Sequence, residues 1–185
     1  MQNKIEQTKL NAISAKILHR KGKNSYENLN KTFLVLTLIV PLFFIIAQYV
    51  SKSTEYESLM NYISFGLSLV LIGISIWSLI IKVNDKITLH KIGMKNNIFI
   101  ANECDRIAEL PENEQKWFFR YVSEIDNSDS DIFAGTSKEV KKETYREALK
   151  EIEPGNHTIK CPMCNSSPWK FTKGNCELCG NTETK

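Results

Sequence analysis

The chain has 185 residues, 42% of them hydrophobic, with 24 Lys and Arg against 21 Asp and Glu for a formal net charge of +3. With about 50 residues committed to two long apolar runs, too few remain for a large enzyme domain. The small positive surplus lies mostly in lysines flanking those runs, so it speaks for membrane topology and attraction to anionic lipid rather than for a nucleic-acid footprint.

Residues 4–28 place Ile5, Leu10, Ile13, Ile17 and Leu18 near helical spacing. This predicts an amphipathic cytoplasmic helix within residues 1–31, lying on the membrane or packing on a partner helix. A solvated basic leader that frays around Gly22 is the alternative. His19, with no ligand-type residue at helical spacing beside it, reads as a polar-face residue rather than a metal ligand.

Residues 32–50 and 59–81 form two uncharged runs that as helices would reach roughly 28 and 34 Å, enough to cross a bilayer. Only SKSTEYES separates them, so the expected element is a tight transmembrane hairpin over residues 32–81. A polar leader precedes the first run and no A-x-A-like cleavage site follows it, which argues against a secretory signal. Seven Lys or Arg lie in the first 31 residues and Lys82, Lys86, Lys91 and Lys95 follow the second run, whereas the loop carries only Lys52. Both termini are therefore expected in the cytoplasm. Tyr49, Tyr56 and Tyr62 would mark the outer interface and Trp77 the inner one.

Within the first run, Pro41 removes a backbone donor and predicts a kink or local opening. In the second, Asn61, Ser64, Ser68, Ser75 and Ser78 share one arc, a candidate pore or oligomer face, with ordinary helix packing as the competing explanation. Gly66 and Gly73 lie elsewhere on that helix, where they would let the first span approach closely. Neither run carries a charged residue, which argues against a proton relay.

Residues 82–155 read as a cytoplasmic helical region. Val83, Ile87, Met94, Ile98, Ala101 and Ile107 lie close to a helical stripe that would pack on the N-terminal helix, weakened at Gly93. Cys104 falls near it as a small buried residue. Pro111, Glu112 and Glu114 open a further helix with Trp117, Phe118, Tyr121, Val122 and Ile125 on its apolar side. The stretch NSDSDIFAG then reads as an acidic linker; it lacks the Gly and Glu of a calcium loop. Thr136 and Glu139 have capping-box spacing for a helix ending near Glu153, where Pro154 and Gly155 stop it.

The most specific signal is Cys161-x2-Cys164, eleven residues, then Cys176-x2-Cys179, within residues 156–185. Four thiolates suit a tetrahedral structural zinc site with no open coordination position, in a ribbon whose WKFT segment would form part of a hairpin. So small a module lacks a sufficient core, and metal binding would supply much of its folding free energy. A duplicated redox pair is the alternative. Lys160, Lys170, Lys173, Trp169 and Phe171 suggest contact with nucleic acid, but the lysines also offset the negative charge of the site. A protein-binding or domain-organising ribbon is the favoured expectation.

The four-cysteine spacing together with the upstream hairpin resembles the bacterial mobilome family named for C-x-x-C-x(11)-C-x-x-C. The architecture of residues 1–110 resembles the SLATT class of two-helix membrane effectors. The expected fold is thus a mainly α membrane protein: a two-helix transmembrane hairpin, cytoplasmic helices and a small C-terminal zinc ribbon. The resemblance implies an effector of a bacterial antiphage or conflict system; with no nucleotide-binding motif, catalytic triad or carboxylate pair visible in the sequence, the chain is expected not to be an enzyme. It would sit in the inner membrane and oligomerise to permeabilise or depolarise the bilayer when a partner or sensor of the same system signals. The alternative is a membrane-anchored zinc-ribbon adaptor that recruits a protein or nucleic-acid partner.

Overall fold

The computed structural model describes residues 2–52 and 55–183; Ser53 and Thr54, in the loop of the expected hairpin, lie outside the described residues. Five helices follow one another: α1 (Gln2–Ser51), α2 (Glu57–Ile81), α3 (Val83–Ala108), α4 (Glu112–Ile132) and α5 (Lys138–Ile152). Among the described residues there is no regular strand, only an isolated antiparallel bridge between Lys173 and Asn181. The chain divides into two compact units, residues 1–21 with 90–185, and residues 22–89.

The first unit has a single core. Ile5, Leu10, Ala12, Ile13 and Ile17 of α1 are buried with Ile100, Ala101, Cys104 and Ile107 of α3, Phe118 and Val122 of α4, and Tyr145, Ala148 and Leu149 of α5. Each large apolar side chain removed from water contributes about 1.5–3 kcal/mol. The N-terminal stripe is therefore an internal packing face. Gly22 does not interrupt α1, which also runs through the expected boundary at residue 31 and through Pro41.

Ion pairs reinforce the same packing. Lys9 meets Asp105 at 2.7 Å, Glu151 accepts from Lys16 and from Arg20 at 2.9 Å, and Lys21 reaches Glu143 at 2.9 Å and Glu147 at 3.0 Å. Burial favours the neutral form of Glu151, but the Lys16 and Arg20 bonds prevail and hold its carboxyl below the usual range. Burial likewise opposes charge on Lys21, yet its bonds to Glu143 and Glu147 keep its pKa above the ordinary value.

The structure corrects the expected surface position of His19. The ring is fully buried: Nε2 lies 2.9 Å from Asp129 Oδ1 and Nδ1 lies 3.1 Å from His90 Nδ1. Asn97 donates to the other Asp129 oxygen at 2.7 Å, and the Phe133 ring packs 4.6 Å from that of His19. This polar network also explains why the expected acidic linker is helical up to Ile132. The Asp129 carboxylate turns inward and is hydrogen-bonded, so burial of Asp129 and Phe133 holds the last turns of α4 against their poor intrinsic helix propensity. Beside it, burial raises the carboxyl pKa of Asp126, with the Asp129 charge adding to the shift.

Two smaller corrections concern α3 and α5. The buried stripe of α3 keeps Val83, Ile87, Ala101 and Ile107 as expected and adds His90, Gly93, Asn97, Ile100 and Cys104, while Met94 is half-buried and Ile98 exposed. At the start of α5 the cap is Ser137, whose hydroxyl accepts from the Val140 N–H at 3.3 Å, while the Thr136 N–H is taken by the Phe133 carbonyl. Cys104 is buried as expected, and burial pushes its thiol up to about 11.

In the second unit, the Lys4–Ser51 and Glu57–Ala108 helical stretches each contain a window long and apolar enough to cross a membrane; none of the first window and 6% of the second is buried. Leu38, Phe43, Ile46, Phe65, Leu69 and Leu79 are among the large side chains exposed there. Lys82, in the left-handed conformation with φ 52°, separates α2 from α3. The serine arc does not keep to one environment: Ser64 is buried and Ser78 half-buried, while Asn61, Ser68 and Ser75 are exposed. Gly66 and Gly73 are not at a close helix contact, since a Cβ added at either would meet nothing within 4 Å.

Candidate metal centre

The chain after α5 folds around its cysteines by repeating one local device. In the first turn the Asn165 N–H donates to the Cys161 carbonyl at 2.9 Å and the Cys161 N–H to the Ser166 carbonyl at 3.0 Å. In the second, Gly180 N–H donates to Cys176 carbonyl at 2.9 Å and Cys176 N–H to Asn181 carbonyl at 3.2 Å. The residue after each C-x-x-C closes the turn with a positive φ, 56° at Asn165 and 71° at Gly180, which these residue types tolerate. The duplicated motif thus becomes two matching knuckles.

The knuckles bring Cys161, Cys164, Cys176 and Cys179 together, all buried, with their sulfurs within 4.8 Å of one another. The Cys161–Cys176 pair is separated by 3.9 Å and the Cys164–Cys179 pair by 3.4 Å. An ion held tetrahedrally about 2.3 Å from each sulfur requires edges of about 3.8 Å. The donor set and spacing therefore suit one metal ion bound by four thiolates. The matching of one cysteine from each knuckle in both close pairs is what a closed site requires.

Cys161, Cys164 and Cys179 hold their protons unequally. Burial pushes Cys161 up and pushes Cys179 up strongly. Burial also opposes ionisation of Cys164, but the hydroxyl and backbone of Ser166 and the neighbouring Cys179 and Cys176 draw it down to about 7. Metal binding here would displace protons, so acid competes with the ion.

Sequence reasoning singled out the four cysteines that cluster and missed their support. Asn181, 1% exposed, accepts from the Thr172 N–H at 3.1 Å and donates to the Ser167 carbonyl at 3.2 Å and the Lys170 carbonyl at 3.4 Å. It ties the loop between the knuckles to a short antiparallel pairing, in which the Thr172 carbonyl of the expected hairpin segment accepts from the Thr182 N–H at 2.9 Å and the Gly174 N–H donates to the Gly180 carbonyl at 2.8 Å. From α5, Arg146 donates to the Cys179 carbonyl and stacks its guanidinium 3.9 Å from the centre of the Phe171 ring. Lys142 reaches Glu177 at 3.7 Å, and Lys150 lies 5.2 Å over Trp169. A polar residue two positions beyond the last cysteine, where a knuckle ends, was the available signal for Asn181. Arg146, Lys142 and Lys150 recur on one face of α5, but nothing local ties that face to the cysteines.

A predominantly helical chain with two long apolar helices and a C-terminal four-cysteine knuckle pair defines a class of small protein in which a metal module accompanies membrane-compatible helices. The chain belongs to the mobilome CxxCx(11)CxxC protein family, whose model matches residues 2–182. No curated protein and no solved structure matches it.

Proposed function

We propose that the protein is a membrane effector of a bacterial antiphage or conflict system. In this reading α2 and the second half of α1 cross the inner membrane with both termini cytoplasmic, and copies associate to permeabilise or depolarise it on a signal from a partner. The observation that carries the reading is the exposed apolar surface of residues 32–81. Contiguous apolar surface of this extent is uncommon on a monomer in water, and hydrocarbon is its natural solvent. The exposed polar positions refine the candidate oligomer face to Asn61, Ser68 and Ser75, spaced by seven residues and thus nearly aligned along α2. Ser64, buried, and Ser78, half-buried, fall outside that face. The four-cysteine centre holds zinc in a structural role, consistent with a complete thiolate set.

The test follows membrane potential with a voltage-sensitive dye in bacteria expressing the chain, with and without phage challenge. Depolarisation before loss of viability is expected, and Leu at Ser68 and Ser75 should abolish it while leaving insertion intact. Undiminished depolarisation by that variant would remove the stripe from the mechanism. If potential holds steady in cells that resist phage, the hairpin is an anchor for the zinc module. An unrelated anchor should then preserve function.

A further inference from the structure

We infer that the face formed by the metal module and α5 binds single-stranded nucleic acid. The ribbon aromatics are not buried against the helix: Trp169 is 40% and Phe171 55% exposed. Each is nevertheless fixed by a cation from the same side of α5, Arg146 on Phe171 and Lys150 on Trp169, and the His157 ring packs 4.6 Å from that of Trp169. Two exposed aromatic surfaces, two residues apart in the chain and each accompanied by a positive charge, provide base-stacking platforms beside phosphate partners.

The charges favour this occupant over a protein. Lys160, Lys170 and Lys173 are exposed. They also help offset the negative four-thiolate centre, but Lys170 stands between Trp169 and Phe171 in the chain, which puts a cation beside both rings. An acidic protein would use the cations and leave the aromatic faces idle; a folded apolar partner would use the aromatics and strand the cations. A single strand uses both, and recognition by stacking and phosphate contact is tolerant of sequence. The inference holds whether the hairpin acts on the membrane or merely anchors the chain.

The experiment measures fluorescence anisotropy of labelled oligo-dT and oligo-rU of roughly a dozen nucleotides. The titrant is the full zinc-loaded chain in nanodiscs of neutral phosphatidylcholine, over a series of salt concentrations. Binding should weaken with salt, with a log–log slope of about −2 to −3 if three or four phosphates are neutralised. Trp169→Ala with Phe171→Ala should weaken binding at least tenfold, as expected for removing two stacked bases at about 1–3 kcal/mol each. Trp169→Phe should retain most of it. Zinc content of each variant reports whether the module is intact. If the alanine pair loses zinc, Lys170→Glu decides instead, with a several-fold loss expected and unchanged affinity overturning the proposal. It is also overturned if the intact chain leaves the oligonucleotides free at low salt or if the zinc-loaded alanine pair binds them equally. Equal binding of polyglutamate, insensitive to the aromatic changes, would reassign the face to an acidic protein partner.

Discussion

Gly93 sits inside α3, where Ala would ordinarily stabilise a helix by about 1 kcal/mol. The structure reverses that sign. A Cβ at position 93 would lie 2.2 Å from His19 Cε1, 2.3 Å from Nε2 and 2.7 Å from Nδ1. The imidazole is rigid, has no exposed surface, and is held by Asp129, His90 and Phe133. Moving it costs about 1–3 kcal/mol in overpacking and about 1–3 kcal/mol in hydrogen bonding to a buried carboxylate. After the helix-propensity gain, Gly93→Ala should be destabilising by about 1–5 kcal/mol. Amide hydrogen exchange of the micelle-bound full chain, followed over α3 and the first turns of α1, should accelerate roughly 5- to 5000-fold where exchange reports opening of this core. In a His19→Ala background, which removes the obstructing ring, Gly93→Ala should become neutral or stabilising. Slower exchange in the single variant would refute the packing argument.

Further outcomes concern the metal module and its docking. Cys161→Ser should abolish stoichiometric zinc binding in a colorimetric metal release assay, and chelation of the wild type should produce the same protease sensitivity in residues 156–183. Because protons compete for the thiols, with Cys164 drawn to about 7 and Cys161 and Cys179 raised, zinc affinity measured by competition should fall steadily as pH drops below neutrality. Asn181→Ala leaves the Thr172 N–H and the Ser167 and Lys170 carbonyls without their side-chain partner. It should destabilise the module by about 2–4 kcal/mol and speed zinc release to a chromogenic chelator. Glu151, with a lowered carboxyl pKa, contributes stability above its unfolded value of about 4.3 that is lost as pH falls through the folded value. Glu151→Gln should therefore flatten the acid limb of a pH-dependent thermal melt. Because the side chain is 32% exposed, the loss above that limb should be about 1 kcal/mol or less.

What the sequence determined by itself rests on short-range physics. The four-cysteine cluster was legible because C-x-x-C spacing alone brings two sulfurs to one side of a turn, and the two apolar runs because length and the absence of charge set their compatible solvent. Cys104 was legible from its place near an apolar stripe. Tertiary structure decided where long-range partners overrule local preference. His19 and Asp129 look like surface residues because each is polar in a polar stretch; only the arrival of α1, α3 and α4 at one point makes their burial affordable. The same convergence turned an acidic linker into the end of α4 and gave Gly93 its role as the gap that admits a ring. Burial of Ser64 beside exposed Asn61, Ser68 and Ser75 divided the serine arc, which a helical wheel cannot do because it has no knowledge of what packs on the helix. Arg146 and Lys150 reached the aromatic rings of the metal module for a like reason: a residue's periodicity is written in its own helix, but its partner is chosen by the fold.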